Sequence, residues 1–68
     1  MRIKRGKVKF YDKTRGFGFI TKDDDKKDVY FSIEDVEKKQ KLEAGDTVKF
    51  EVEKTQQGMK AIKISKIE

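Results

Sequence analysis

The residues best suited to a chemical role read R-G-F-G-F-I and begin at Arg15. Phe17 and Phe19 are two positions apart, so a strand places both rings on one face. The opposite face then receives Gly18 and Ile20. Flat rings on an open strand face stack well against other flat π systems, and the Arg15 guanidinium is suited to pairing with phosphate. This run therefore favours a partner that carries both bases and phosphates.

A purely structural interpretation would bury Phe17 and Phe19 in a core. The outer face would then carry only Gly18 and Ile20, which leaves an isoleucine in water on an almost bare strand. We therefore place the rings outside. The same order of residue types is the first ribonucleoprotein motif, in which bases stack on rings that project from a sheet. A glycine between the rings has no side chain to hinder an approaching nucleic-acid backbone.

The RNA recognition motif domain also contains this motif, but it does not fit this chain. Such a domain needs helices between its strands and a second aromatic strand upstream, whereas here V-Y-F-S follows the motif. No segment is long enough for two amphipathic helices of about ten residues. Order and length favour a small barrel instead.

Charge is distributed unevenly along the 68 residues. The net charge is +5, but residues 1–22 alone account for +7 and the remainder for −2. A positive field concentrated in one third of a small chain favours a polyanionic partner. Lysines that merely solvate a small domain explain the composition equally well.

Other kinds of chemistry find little support. The chain has no cysteine and no histidine, which removes disulfides, thiolate-bound metals and the commonest general base. Asp23, Asp25 and Glu34 match a calcium-binding loop, but Lys27 takes a ligand position and Asp28 the position of the required glycine. We expect no enzyme activity, metal, cofactor or small-molecule substrate. Asp28 is better suited to accept a base amino group at the rim of the aromatic face.

Alternation of apolar and polar residues predicts the elements that position these side chains. The pattern predicts five short strands, near residues 3–11, 16–22, 28–32, 47–53 and 60–66. Five closely spaced strands favour a small all-β antiparallel barrel, and residues 1–68 are expected to form one domain.

The region near residues 33–40 breaks this period and predicts one to two helical turns after the third strand. Ser32 is suited to cap them, and Ile33 and Val36 are spaced to pack on the barrel. Two ion pairs are expected on the outer side of these turns: Glu34 with Lys38 and Glu37 with Lys41.

Two details of the pattern concern the core. Strict alternation places Phe10 on the same face as Val8, although Val8 is expected inside. A bulge or strong bend in the first strand would separate them, and Tyr11 is left open between surface and core. Near the end of the chain, Ile62 and Ile64 alternate as though they shared one face.

The chain has no sequence feature of a membrane or secreted protein. Its longest apolar run is V-Y-F, and its basic N-terminus lacks the apolar stretch of a secretory signal. We therefore expect a monomeric cytoplasmic protein.

Three segments together resemble the cold-shock domain family: G-K-V-K-F-Y-D-K-T-R-G-F-G-F-I, D-V-Y-F-S and L-E-A-G-D-T-V-K-F-E-V. The resemblance runs from about Gly6 to Ile64. It implies a five-stranded OB-type barrel that binds single-stranded RNA or DNA without catalysis. It also implies a stacking surface with a basic border. The candidate nucleic-acid-binding residues are Lys9, Phe10, Arg15, Phe17, Phe19, Asp28, Tyr30, Ser32 and Lys60.

The chain departs from the family pattern at several positions. Phe10 stands where the family usually has tryptophan, Ser32 where a histidine stacks, and Ile33 where an aromatic residue commonly follows. Met59 replaces a common proline. The segment 37–41 is shorter than usual and lacks the family's loop phenylalanine. About half of the usual aromatic surface remains.

Stacking accepts every base, so weakly selective binding to single strands is expected. The resemblance implies a role as an RNA chaperone or regulator of transcription or translation. A second class of function stays open: an OB-type interaction module that docks on a protein or ribosomal surface and binds free nucleic acid weakly. The missing ring at Ser32 favours this alternative. The retained rings of Phe17, Phe19 and Tyr30 favour nucleic-acid binding.

Overall fold

Five strands form a closed barrel in the computed structural model, which describes residues 3–37 and 41–67. Their bounds are β1 Ile3–Asp12, β2 Phe17–Lys22, β3 Asp28–Ser32, β4 Thr47–Thr55 and β5 Gly58–Lys66. The order around the barrel is β1-β2-β3-β5-β4. The predicted all-β five-stranded barrel is confirmed, with one difference: β3 and β5 pair in parallel. No helix among the described residues is long and apolar enough to cross a membrane.

Together with Val36 and Leu42 from the segment between β3 and β4, the inner faces of the strands enclose the core. Its members are Val8, Ile20, Val29, Phe31, Val36, Leu42, Val48, Phe50, Ala61 and Ile64. No polar or charged side chain is buried in the part of the chain that the structure describes. The barrel is therefore stabilised mainly by apolar packing. A chain of this size buries only a modest apolar area, so its free energy of unfolding should also be modest.

A bulge in β1 separates Val8 from Phe10, as predicted. Val8 pairs with Ile20 and Phe10 with Phe19, so Lys9 is the extra residue. Val8 is 2% exposed and Phe10 is 46% exposed. Beyond the bulge Tyr11 packs against the core, and its ring stacks on that of Phe31 at 5.6 Å between centroids.

A second bulge, in β5, overturns the prediction that Ile62 and Ile64 share one face. Lys49 pairs with Ser65 and Glu51 with Ile62, which leaves two β5 residues opposite one β4 residue. Lys63 takes a left-handed conformation there, with φ 51°. The core positions of β5 are consequently Ala61 and Ile64, three apart, while Ile62 is only partly buried.

Among the described residues the helical segment is shorter than predicted, and residues 38–40 of the predicted range lie outside them. It is one 3₁₀ turn over Ile33–Asp35, capped by Ser32, and it is followed by a bridge from Val36 to Ile64. Val36 is buried as expected, but Ile33 is 45% exposed, because a turn this short presents only one side to the barrel. Glu37 and Lys41 form no ion pair, and Lys38 lies outside the described residues.

Gly18 is required by the core rather than by ligand access. It faces inward beside Ile20, and a methyl group at Gly18 would lie 2.7 Å from two carbon atoms of the Phe31 ring. The same methyl group would collide with the backbone oxygen of Phe10. Phe31 is completely buried and has no room to move away. The explanation that this glycine leaves space for a nucleic-acid backbone is therefore wrong.

Candidate nucleic-acid interface

Four aromatic rings lie together on the outer face of β1, β2 and β3. We call them the aromatic platform: Phe10, Phe17, Phe19 and Tyr30. Phe19 pairs with Phe10 on one side and with Tyr30 on the other. Phe17 is the central ring, because its centroid lies 6.0 Å from Phe10, 6.2 Å from Phe19 and 6.0 Å from Tyr30. The alternation in R-G-F-G-F-I and the bulge in β1 together place these rings on one surface.

The aromatic platform is open to solvent. Phe10, Phe19 and Tyr30 are 46%, 37% and 41% exposed, and Phe17 is half-buried among them. Phe17 and Tyr30 lie nearly parallel at 23°, whereas Phe19 is close to perpendicular to Phe17. Clustered exposed rings of this kind are unusual on a small soluble protein and mark an interaction surface.

Lys9 and Asp28 form an ion pair beside the platform. Lys9 Nζ lies 2.8 Å from Asp28 Oδ2, and Thr21 Oγ1 donates to Asp28 Oδ1 at 2.7 Å. The hydrogen bond from Lys9, followed by that from Thr21, lowers the pKa of the Asp28 carboxyl below its ordinary value of 3.8. Any phosphate that uses Lys9 must compete with this carboxylate.

Arg15 lies in the turn between β1 and β2. Asp12 Oδ1 accepts hydrogen bonds from the backbone N–H groups of Thr14 and Arg15, at 3.0 and 3.1 Å. Gly16 completes the turn with φ +76°, a conformation that glycine adopts readily. The Arg15 side chain extends into solvent, with Nε 3.8 Å from Asp12 Oδ2, and it is the most exposed candidate cation.

Lys60 lies next to Tyr30 across the parallel pairing of β3 and β5. Its Nζ is 3.4 Å from Asp35 Oδ2 on the 3₁₀ turn, close enough for an ion pair but not aligned for a hydrogen bond. That oxygen is shielded from solvent and accepts no hydrogen bond from the described residues. The Lys60 ammonium group therefore compensates a carboxylate that is poorly solvated.

Ser32 lies at the edge of the aromatic platform. It pairs with Phe17 in register, but its Oγ accepts a hydrogen bond from the Glu34 backbone N–H at 3.3 Å and caps the 3₁₀ turn. Its hydroxyl therefore has a local structural role. The structure thus brings the nine candidate residues to the platform or its border, where the Ser32 hydroxyl also caps the 3₁₀ turn.

Sequence reasoning missed a groove beside Tyr30. The hairpin of β4 and β5 forms its far wall, and it has a volume of about 530 Å³. Besides Tyr30 and Lys60, its lining residues are Thr55, Gln56, Gln57 and Met59. Met59 is exposed, and its thioether extends the apolar surface past Tyr30. Alternation of apolar and polar residues does not identify these groove residues, because a hairpin tip is polar whether or not it lines a groove.

Comparisons with known proteins agree with this architecture. A family model described as the "'Cold-shock' DNA-binding domain" matches residues 4–67. The chain is 37% identical over 65 residues to the cold shock-like protein of Thermotoga maritima, covering 94% of this chain and 98% of the relative. It is 34% identical over 65 residues to the cold shock-like protein CspC of Escherichia coli K12, covering 93% and 94%.

Among solved structures, Drosophila Unr CSD456 has the same fold, with a TM-score of 0.83 at 20% identity. The match covers 98% of this chain and 27% of that one. The family model and both curated relatives span nearly the whole chain. The chain belongs to the cold-shock domain family, a family of nucleic-acid-binding domains.

Proposed function

We propose that this protein binds single-stranded RNA or DNA with low sequence specificity, and that it acts as an RNA chaperone or a regulator of transcription or translation. Bases stack on the aromatic platform, while Lys9, Arg15 and Lys60 pair with phosphates along its border. The proposal treats the chain as one monomeric, cytoplasmic domain without catalytic activity.

One observation carries this proposal: an exposed cluster of four rings lies on a barrel face bordered by cations. Base stacking on such rings contributes about 1–3 kcal/mol for each base and accepts all four bases. Because stacking accepts every base, selectivity should be weak. A site of about three to six nucleotides fits the lower part of the range for one OB-type barrel.

The test is a titration of a dye-labelled, pyrimidine-rich strand, followed by fluorescence anisotropy. The chain lacks tryptophan, so a labelled oligonucleotide gives a better signal than the protein. We expect single strands to bind and duplex DNA of the same sequence to compete poorly, because its bases are already stacked. Equal competition by duplex would contradict the proposal. Absence of single-strand binding by folded protein would favour docking on a protein or ribosomal surface.

Asp35→Asn is expected to strengthen binding. The substitution keeps the side-chain shape but removes the charge that holds Lys60, so Lys60 becomes available to a phosphate. An ion pair at the protein surface is worth about 0.2–1 kcal/mol, which predicts a gain of roughly 1.5- to 5-fold at low salt for this partly exposed pair. The dependence of log K on log salt should become steeper by up to about 0.7, the value for one single-strand phosphate contact.

Lys60→Gln supplies the control for this prediction. If Asp35 acts by holding Lys60, the gain from Asp35→Asn disappears when position 60 is already glutamine. A gain in affinity from Asp35→Asn that persists in the Lys60→Gln background would show a general effect of charge. If Asp35→Asn alone left the affinity unchanged, the ion pair would not compete with phosphate.

Asp28→Asn is expected to reduce stability near neutral pH but not in acid. The folded-state pKa of Asp28 is lowered by Lys9 and Thr21, so its stabilising contribution is present above 3.8 and is lost as the pH falls through the lower folded value. Urea midpoints measured from about pH 6 down to about pH 3 should therefore differ most at the higher pH. Asp23→Asn is the matched control, because the Asp23 side chain makes no ion pair within the described residues. A difference between Asp28→Asn and wild type that is independent of pH would contradict this assignment.

A further inference from the structure

A second group of charges lies on the outer face of β1 and β4, beyond the aromatic platform. Arg5 and Lys7 on β1 and Lys49 on β4 are all exposed, while the intervening residues Gly6 and Val48 face the core. We call these three cations the basic ladder.

The strand register holds the basic ladder together. Arg5 is the direct cross-strand partner of Lys49, and Lys7 is the partner of Thr47. Opposed side chains of an antiparallel pair have Cβ atoms about 4.5–5.5 Å apart, and like charges in such positions destabilise a sheet. Two positions along a strand are separated by about 6.7 Å. Three positive charges are therefore concentrated in a small area at some expense of stability.

Carboxylates do not neutralise this group. Within the described ranges no ladder side chain makes an ion pair. Six lysines elsewhere each pair with a carboxylate: Lys4, Lys9, Lys22, Lys60, Lys63 and Lys66. Asp23 and Asp24 line a shallow groove with Arg5, but Asp24 is bonded to Lys4, and Asp23 does not reach ion-pair distance. The basic ladder is thus a surface with uncompensated positive charge.

The basic ladder continues directly from the platform. Lys7 pairs with Thr21, and Phe10 pairs with Phe19. Since Thr21 and Phe19 are two apart on β2, their side chains share the outer face. Lys7 therefore lies one outward position beyond the Phe10–Phe19 pair, and Arg5 lies roughly 15 Å along the strand from Phe10.

We propose that the basic ladder binds the phosphate backbone of a nucleic-acid strand that extends past the aromatic platform. The outward neighbours of the ladder are Thr21 and Thr47, which pair with Lys7, and the Ile3–Glu51 pair at its far end, where Glu51 is held by Lys63. None of these neighbours carries a ring, so this part of the strand is held by charge without base stacking. A long strand then makes phosphate contacts that a short one does not reach. The inference rests on the proposed function and extends its site from the stacking face onto β4.

The experiment compares two labelled pyrimidine strands, of about six and about twelve nucleotides, over a range of salt concentrations. With wild-type protein the longer strand should show the steeper dependence of log K on log salt. Arg5→Gln, Lys7→Gln and Lys49→Gln should each make that slope shallower by about 0.7 and leave the short strand unaffected. Lys26→Gln, in the turn between β2 and β3, is the matched control for loss of one exposed lysine.

Lys49→Glu provides a second measurement in which stability and binding change in opposite directions. It places a carboxylate opposite Arg5, so the urea midpoint should rise as repulsion becomes attraction. The same carboxylate occupies Arg5, so the long-strand slope should become shallower by about 1.4, the value of two phosphate contacts.

Equal salt slopes for short and long strands would overturn the inference. An equal decrease in salt slope for both strands in the ladder variants would also overturn it. The same decrease in Lys26→Gln would do so too, because either result indicates only a general effect of net charge. In each case short-strand binding that depends on the aromatic platform would leave the proposed function intact.

Discussion

Phe17→Ala is expected to weaken binding of a short single strand by roughly 5- to 150-fold, the range that loss of one stacked base predicts. The upper part of this range is expected, because Phe17 touches the other three platform rings and helps to orient them. Its ring makes no contact with a cation among the residues that the structure describes, so the salt slope should stay the same. Anisotropy titrations at several salt concentrations measure both quantities.

Ile3→Ala is the matched control for Phe17→Ala. Ile3 is another exposed apolar residue, but it lies at the far end of β1 from the rings. Its removal should leave short-strand affinity unchanged. If the Phe17 variant kept its fold, by circular dichroism, and also kept wild-type affinity, the rings would not be the binding surface. The interaction-module alternative would then replace the proposed function.

Gly18→Ala is expected to destabilise the barrel by about 2–3 kcal/mol, a value typical of a methyl group forced into a packed core. The added carbon would lie 2.7 Å from the Phe31 ring and would collide with the Phe10 carbonyl oxygen. For a chain of this size the melting temperature should fall by roughly 10–20 °C. Thermal denaturation followed by circular dichroism measures this change.

A double-mutant cycle with Phe31→Leu identifies the cause of this destabilisation. A smaller side chain at position 31 relieves part of the overlap, so Gly18→Ala should be less costly in that background. Affinity per folded molecule should stay near that of wild type. Additive losses would show that the Phe31 ring is not the obstacle, and reduced affinity of fully folded protein would restore a role for Gly18 at the interface.

Much of the barrel was predictable, because period two is a direct consequence of strand geometry. The predicted strand at 3–11 is observed as Ile3–Asp12, and that at 47–53 as Thr47–Thr55. The bulge in β1 was also predictable, since two residues with incompatible requirements, Val8 and Phe10, occupied the same face. A bulge or a strong bend resolves such a conflict, and β1 contains the bulge.

The rest depended on contacts that no local pattern contains. A lysine gives no indication of the left-handed conformation that Lys63 adopts, so the sequence did not predict the bulge in β5. A serine at position 32 is suited both to cap a turn and to contact a ligand, so its residue type does not distinguish these roles. The ion pair of Lys60 with Asp35 joins residues distant in sequence, and it exists only because β5 returns beside β3.

The parallel pairing of β3 and β5 has a consequence for the motions of the barrel. It joins only Tyr30 to Lys60 and Phe31 to Ala61, so it is the shortest of the strand pairings that close the barrel. Amide hydrogen exchange should therefore report local opening here before global unfolding. Tyr30 and Lys60, the outward-facing members, are both candidate ligand contacts. A strand bound across them would fasten the two edges together, so that occupancy of the surface slows opening of the fold beneath it.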